Sequence, residues 1–427
     1  MNKEKKEEIL KTPKGMHDIL PEEGRWWDKV RKATEKVTEF YGFQKIETPI
    51  LEQAVLFSRT VGEDTDIVQK EMYTVKTKSG DTLALRPEGT ASICRAYLEH
   101  SLSKAAPMQK FWYEGPMFRY ENPQAGRLRQ FHQIGLEVLG GVADPMYDAQ
   151  VIIAMYRLLE DLRIKNITLR INSIGCKVCR PAYKRQLQAY YKNNLKKLCG
   201  DCNKRYKDNP LRLLDCKNEK CQPYKEDAPN FFDKLCSSCS THLKSVLEYM
   251  DELGVPYILD NQLVRGLDYY SKTVFEFYAE GENSWALGGG GRYDYLMEML
   301  GGKATPAVGG AFGVERIVET MKSQGVSLPE RTPKKVFIVH VGDLAKKKAL
   351  KIIEELRHAG ISVTEALSKD SLKAQLKAAD KEGAAIALIL GQKEIFEGNI
   401  IIRDLKNSLQ ESVPTERMVE EIKKRLK

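Results

Sequence analysis

Three kinds of residue in this chain could do chemistry by type and spacing: arginines among carboxylates and aromatic rings, runs of glycine, and cysteines in close pairs. The densest set lies in Lys110–Gly140, KFWYEGPMFRYENPQAGRLRQFHQIGLEVLG. Two aromatic-rich segments with strand-like alternation flank Asn122-Pro123-Gln124-Ala125-Gly126-Arg127, a cationic, turn-prone connector, and together they predict a β-hairpin. Alternation puts Arg119 and Glu121 on one face of the first strand, and Phe131, Gln133, Gly135 and Glu137 on one face of the second. A cation, two carboxylates, an amide and a ring on one side of a two-stranded floor would suit a triphosphate, a base and an amino acid together. A half-solvated sheet with ordinary salt bridges would carry the same residue types.

Further along, Leu263–Phe277 reads LVRGLDYYSKTVFEF, with Arg265 ahead of a turn at Gly266-Leu267-Asp268. The following pair, Tyr269 and Tyr270, is expected to point opposite ways at a strand start, so that at most one of them faces any given pocket and the other packs in the core. Ala286–Asp294, ALGGGGRYD, reads as a glycine loop between a strand and a helix, where a bare backbone can approach a flat or charged ligand. Thr305–Ile317, TPAVGGAFGVERI, is expected to form a helix packed through Gly309, Gly310 and Gly313, with Arg316 near its end. A rigidly held arginine suits phosphate because its planar fork can bond two oxygens.

The cysteines are concentrated. Eight of the nine fall between residues 176 and 239 as Cys176-x-x-Cys179, Cys199-x-x-Cys202, Cys216-x4-Cys221 and Cys236-x-x-Cys239. Such pairs let two thiolates reach one tetrahedral ion, and four pairs make two zinc sites, with the sharing of pairs left open by the spacing. Reduced, metal-free thiols are the alternative. Cys94 alone lies outside and reads as a small buried hydrophobe. The same segment holds 15 Lys and Arg against 7 Asp and Glu, or +8 of the chain's formal +9. Two filled four-thiolate sites would reduce that +8 to about +4. A local basic excess of this kind points to a phosphate-bearing polymer.

These groups must be held by elements, and the 427 residues suffice for two or three domains. A hydrophobic share of 42% and a charged share of 30% fit a globular protein. No stretch approaches the roughly 18 apolar residues of a membrane span, and the charged start lacks a signal-peptide core, so a cytoplasmic location is expected. Helical spacing covers Gly24–Tyr41, a strand with Pro49 is expected over Phe43–Leu51, and short strands and helices continue to residue 325. Together they predict an α+β domain over 1–325, built on antiparallel strands with a cysteine-rich, basic insertion at 172–242. Residues 326–334 read as a linker, and 335–427 alternate strand and helix as a small α/β domain.

Taken together, the pieces closely resemble the class II aminoacyl-tRNA synthetases, and within them the histidyl-tRNA synthetases, over nearly the whole chain. Gly42–Glu52 with Pro49 is similar to the first class motif, Phe118-Arg119-Tyr120-Glu121 to the second, and Gly309–Arg316 to the third. LVRGLDYY and RPEGTA (Arg86–Ala91) are similar to the histidine-specific signatures, and GGGGRYD also matches. The resemblance implies a homodimer that activates histidine with Mg²⁺-bound ATP and transfers it to tRNA(His), through an α+β catalytic domain and a C-terminal α/β anticodon-binding domain. It implies that Arg119 holds the α-phosphate and Arg316 the γ-phosphate, that Phe131 stacks on adenine, and that Glu121 and Arg127 stand by the ATP. It places Glu88, Thr90 and Gln133 on the amino acid's backbone groups, and Glu137 and Tyr270, with Tyr269 beside them, at the imidazole. Arg265 falls by the carboxylate and α-phosphate as a catalytic residue with Arg119. The paired thiols depart from the compact form of the family, and we expect a zinc-stapled module there that grips the tRNA acceptor arm through its basic excess. A non-catalytic regulatory relative is the rival reading; such relatives typically lack the anticodon domain and the ATP-contacting arginines, all of which have matching positions here.

Overall fold

The computed structural model describes residues 9–62, 65–280, 285–328, 336–366, 368 and 371–426. The chain divides into two compact units, Met1–Leu328 and Pro329–Lys427. Of the expected linker, residues 329–334 lie outside the described residues.

The first unit is α+β. Its strands are β1 (Gln44–Lys45), β2 (Leu51–Gln53), β3 (Thr74–Lys76), β4 (Thr82–Leu85), β5 (Met108–Phe118), β6 (Gln130–Gly140), β7 (Ile167–Ser173), β8 (Tyr257–Leu259), β9 (Ser271–Ala279), β10 (Gly288–Arg292) and β11 (Ala307–Gly313). The main sheet runs β1-β5-β6-β11-β10-β9-β7-β8, and β2-β4-β3 form a small second sheet. All pairings in the main sheet are antiparallel except β1 with β5 and β7 with β8. β5 and β6 form the long hairpin, in register from Met108↔Gly140 to Phe118↔Gln130.

One face of this sheet is dry. Ile134, Leu136, Val138, Val308, Phe312 and Phe277 alternate onto it and pack under the helices Pro21–Phe40, Pro145–Asp161, Ser237–Glu252 and Val314–Ser323. The other face carries Tyr113, Met117, Tyr270 and Tyr293 and meets both the helix Thr90–Glu99 and the cysteine-rich segment. Period-two alternation thus separates a packed face from one available for chemistry.

Three expectations change. The residues Phe43–Leu51 do not form one strand: β1 and β2 lie in different sheets with Pro49 between them, where a missing N–H costs no ladder bond. The glycine run is not a loop but a central strand, β10, hydrogen-bonded on both sides by β9 and β11. The stretch Ala307–Gly313 is likewise a strand rather than a helix, and the helix starts only at Val314. Neighbouring strands satisfy the backbone of both segments, which overrides the poor strand propensity of glycine.

A buried ion network ties β10 to the helices beneath. Asp148, fully buried, accepts from Arg292 Nε at 3.0 Å and lies 3.2 Å from His242 Nε2. Arg292 also donates to Asp294 at 3.1 Å and to the Asp144 carbonyl at 3.0 Å. Burial would raise the Asp148 pKa, but the Arg292 guanidinium and His242 bring it down to about 2. Asp148→Ala is therefore expected to destabilise the first unit by about 3–5 kcal/mol, because it removes the fully buried carboxylate that pairs with both Arg292 and His242. A shift in the urea midpoint of the intact chain measures it.

The second unit holds β12 (Val336–His340), β13 (Val363–Glu365), β14 (Ile386–Leu390), β15 (Asn399–Asp404) and β16 (Gln410–Pro414), in the order β13-β12-β14-β15-β16. The first three strands are parallel and the last two pairings antiparallel. Sequence patterning misses β16, whose only buried residue is Val413.

Candidate active site

The pocket-bearing face is built from registered rows. Across β6, β11, β10 and β9, one row reads Gly135–Ala311–Gly289–Glu276 and the next Glu137–Gly309–Gly291–Val274. Glu276 stands at one side and Glu137 at the other, and the centre carries only glycine and Ala311. A Cβ on Gly309 would fall 1.6 Å from the Glu137 carboxylate, and one on Gly289 would fall 3.0 Å from Arg265 Nη1. Glycine here makes room for those two groups.

Above this floor lies a cavity of about 190 Å³ lined by Arg119, Glu121, Arg127, Phe131, Gln133, Arg265, Glu276 and Arg316, with backbone from β10 and β11. Arg119 donates from Nε to the Pro87 carbonyl at 3.0 Å and sits over the Phe131 ring at 5.2 Å. Arg316, in the first turn of Val314–Ser323, donates to the Gly126 carbonyl at 2.9 Å and the Ala286 carbonyl at 2.6 Å. These bonds fix the guanidinium. Arg127 lies 3.6 Å from Glu121, and Arg265 is paired with Glu276.

The electrostatics call for an anion. Burial, together with Arg127 and Arg119, holds the Arg316 pKa below its ordinary value. Burial also opposes the charge on Arg265, but Glu276 and the neighbouring tyrosines outweigh it and raise its pKa. Crowded cations of this kind are relieved by a polyanion. Two buried polar atoms in the cavity wall, Gln133 Oε1 and Arg265 Nε, lack a protein partner, which is the condition a ligand satisfies.

Behind the cavity is a closed polar cluster. Thr90 Oγ1 donates to Glu137 at 2.7 Å, and the Tyr293 hydroxyl donates to its other oxygen. Glu88 accepts from the backbone N–H groups of Thr90 at 2.7 Å and Ala91 at 2.9 Å, capping the helix they begin. The Tyr269 and Tyr270 rings are 4.7 Å apart, and Tyr269 lies 5.7 Å from Tyr293. Burial pushes Glu137 up to about 8, against the two hydroxyl donors, and raises Glu88 as well.

The residues picked from the sequence thus fall into two adjoining groups. Arg119, Glu121, Arg127, Phe131, Gln133, Arg265 and Arg316 line the cavity, whereas Glu88, Thr90, Glu137, Tyr269 and Tyr270 are buried behind it. The two tyrosines do not point apart as expected. They precede β9 in a turn, where strand alternation does not apply, and both join the cluster. Sequence reading missed Glu276, although the alternation Val274-Glu276-Tyr278 carries it. It also missed Tyr293 and Tyr113 as members of the cluster; the Tyr113 ring fills the space over Gly89 and Gly135.

The cysteines gather into two groups, Cys176/Cys179/Cys236/Cys239 and Cys199/Cys202/Cys216/Cys221, with all sulfurs of each group within 4.8 Å of one another. Thiol pairs stand at 3.7, 3.9 and 3.8 Å in the first group and at 3.8 Å in the second. Four thiolates about 2.3 Å from a tetrahedral zinc ion would be separated by about 3.8 Å. The geometry resolves the sharing that spacing left open.

A family model described as Histidyl-tRNA synthetase matches residues 15–317, and one described as Anticodon binding domain matches residues 335–425. The chain is 45% identical over 419 residues to the histidine–tRNA ligase of Dehalococcoides mccartyi, covering 98% of this chain and 100% of that protein. Identity and coverage are the same for the histidine–tRNA ligase of Desulforamulus reducens. The crystal structure of apo S. aureus histidyl-tRNA synthetase matches with a TM-score of 0.81 at 33% identity, over 97% of this chain and 100% of that one.

Proposed function

The chain belongs to the histidyl-tRNA synthetase family, and we propose that the cavity and the closed cluster behind it are the nucleotide and histidine halves of one adenylation site. The enzyme activates histidine with ATP, releasing pyrophosphate, and transfers the histidine to tRNA(His).

In this reading Arg119 takes the α-phosphate, Arg316 the γ-phosphate, and Phe131 the adenine, with Glu121 and Arg127 at the rim. Glu88, Thr90 and Gln133 take the amino acid's backbone groups, while Glu137 and Tyr270 meet the two imidazole nitrogens, with Tyr269 packed against them. Arg265 stands between the halves. The histidine carboxylate must approach an anionic phosphate, and negative charge builds on the phosphoryl oxygens as they meet. Preorganised guanidiniums stabilise that charge without any proton transfer by the protein. Mg²⁺ enters with the ATP and neutralises part of its charge. The observation that carries the reading is the convergence of Arg119, Arg265 and Arg316 on one cavity beside Phe131.

We assign the two thiolate groups to structural zinc, because soft tetrahedral sulfur sites of this spacing select it. The second unit is the anticodon-binding domain, and exposed Lys347, Lys348 and Lys351 on its helix Asp343–His358 could meet tRNA phosphates. A homodimer is supported by the apolar strip of Ile50, Leu51 and Val55, which stays exposed beside Pro49. A cytoplasmic location agrees with the absence, among the described residues, of any helix long and apolar enough to cross a membrane.

Histidine-dependent exchange of pyrophosphate into ATP tests the site. Exchange with histidine and with no other amino acid is the expected result. Histidine binding without exchange would instead favour a regulatory protein that kept the amino-acid half alone.

A further inference from the structure

The second thiolate group does more in this fold than close a loop. Beside the nucleotide cavity lies a larger cleft of about 690 Å³. One wall comes from the cysteine-rich segment, with Cys199, Arg205, Arg212, Cys216 and Lys217. The opposite wall carries Asp66, Glu71 and Gly266. The floor is shared with the nucleotide cavity through Arg119, Glu121, Arg127 and Arg316.

Three side chains cross between the walls. Arg205 and Arg212 both reach Asp66, at 3.4 and 3.0 Å. Asp66 precedes the helical turn Ile67–Glu71, and the Glu71 carbonyl in turn receives the Tyr120 N–H at 2.7 Å, between Arg119 and Glu121. Asn209 donates to Asp268 at 2.6 Å, three residues from Arg265 in the same turn. All three crossing residues lie between Cys202 and Cys216, the second and third ligands of one group. The segment is the helix Gly200–Asp208 followed by the single turn Pro210–Leu213, and its Leu211, Leu213 and Leu214 pack into the core with Tyr183, Leu187 and Tyr191. The thiolates bracket it, so an ion shared by Cys202 and Cys216 would tie its two ends to one point.

We propose that the Cys199/Cys202/Cys216/Cys221 centre is a metal-dependent brace for the nucleotide cavity. The ion ties together the ends of the 202–216 segment, and Arg205, Asn209 and Arg212 act as positioning residues that hold the Asp66 turn and the Arg265 turn against the cavity. The brace rests on the assignment of zinc to these thiols. The other centre joins Cys176 and Cys179, just after β7, to Cys236 and Cys239 at the start of the helix Ser237–Glu252, and has no residue in the cleft.

The test uses the full-length protein. Zinc per chain is counted by elemental mass spectrometry, and kcat and the KM for ATP are taken from histidine-dependent exchange. Wild type is expected to hold two ions, one per thiolate group. The Cys199→Ser/Cys216→Ser protein is expected to lose one ion and show an ATP KM raised about tenfold, with kcat less affected. Arg205→Ala/Arg212→Ala is expected to keep both ions and reproduce the KM increase, and Arg205→Lys/Arg212→Lys to restore part of it. A wild-type ATP KM in the arginine double variant, with both ions bound, would overturn the brace while leaving zinc in place. Wild-type protein free of zinc would overturn both the brace and the metal assignment, whereas absent exchange in zinc-replete wild type would overturn the adenylation reading instead.

Discussion

Arg265→Ala is expected to lower kcat for histidine-dependent pyrophosphate exchange by about a hundred- to a thousandfold, with a smaller change in the KM for either substrate. In the proposed site Arg265 is the guanidinium between the two halves, where charge would develop as the carboxylate meets the α-phosphate. Its environment is largely shielded from water, so each interaction is stronger than at the surface. The partner Glu276 keeps it charged and aimed before substrate arrives. Removing the arginine also leaves Glu276 as an uncompensated carboxylate facing an incoming polyanion. Arg265→Lys should recover only part of the rate, since an ammonium cannot bond two oxygens at once in a fixed plane. Single-turnover formation of the adenylate measures the step directly. A rate within about threefold of wild type would remove Arg265 from the reacting groups.

The second large effect is expected at Glu137. Glu137→Ala should raise the KM for histidine about a hundredfold or more while leaving the KM for ATP near its original value. In the proposed site the alanine removes the group that would face an imidazole nitrogen, and it leaves Thr90 Oγ1 and the Tyr293 hydroxyl without their acceptor. Burial holds the Glu137 pKa near 8, far above the ordinary 4.5. The folded protein therefore retains a proton that the unfolded chain releases between those values. With more protons bound in the folded state, stability falls as pH rises from about 4.5 to about 8. Glu137→Gln cannot ionise and should flatten that decline, a result read by urea unfolding across the interval. An unchanged slope would mean that Glu137 is ionised in the folded protein.

Side-chain chemistry was legible from residue order where alternation applies. The hairpin is the clearest case: Phe131, Gln133 and Glu137 share a face because β6 is a regular strand with a clear dry side. Arg316 was also recognised, although its segment was misread. Glycine carries no hydrophobic pattern, so Gly288–Arg292 and Ala307–Gly313 gave no strand signal; only long-range pairing with β9 and β6 reveals them. Tyr269 and Tyr270 failed for the opposite reason, since both precede the start of β9 at Ser271 and alternation does not reach them. Glu276 was in plain view within a readable strand, but nothing local marks which face of β9 meets Arg265. Cysteine spacing signalled thiolate sites, yet partner choice depends on how the helices of the segment fold back, so Cys176/Cys179 joins Cys236/Cys239 across the whole segment.

Gly289, Gly291 and Gly309, glycines of β10 and β11 on the pocket face, set a limit on how this site can be inhibited or redesigned. The middle of the binding surface is peptide backbone, whose shape barely changes with the residue encoded. A small molecule resting there would meet nearly the same contour in any protein keeping these strands, and would discriminate poorly among them. Selective compounds must instead reach sideways, toward Glu276 and Arg127 at the margins, where a single codon change alters the contact. Resistance to such compounds would arise at those margins too, because a side chain at Gly289 or Gly309 would run into Arg265 or Glu137.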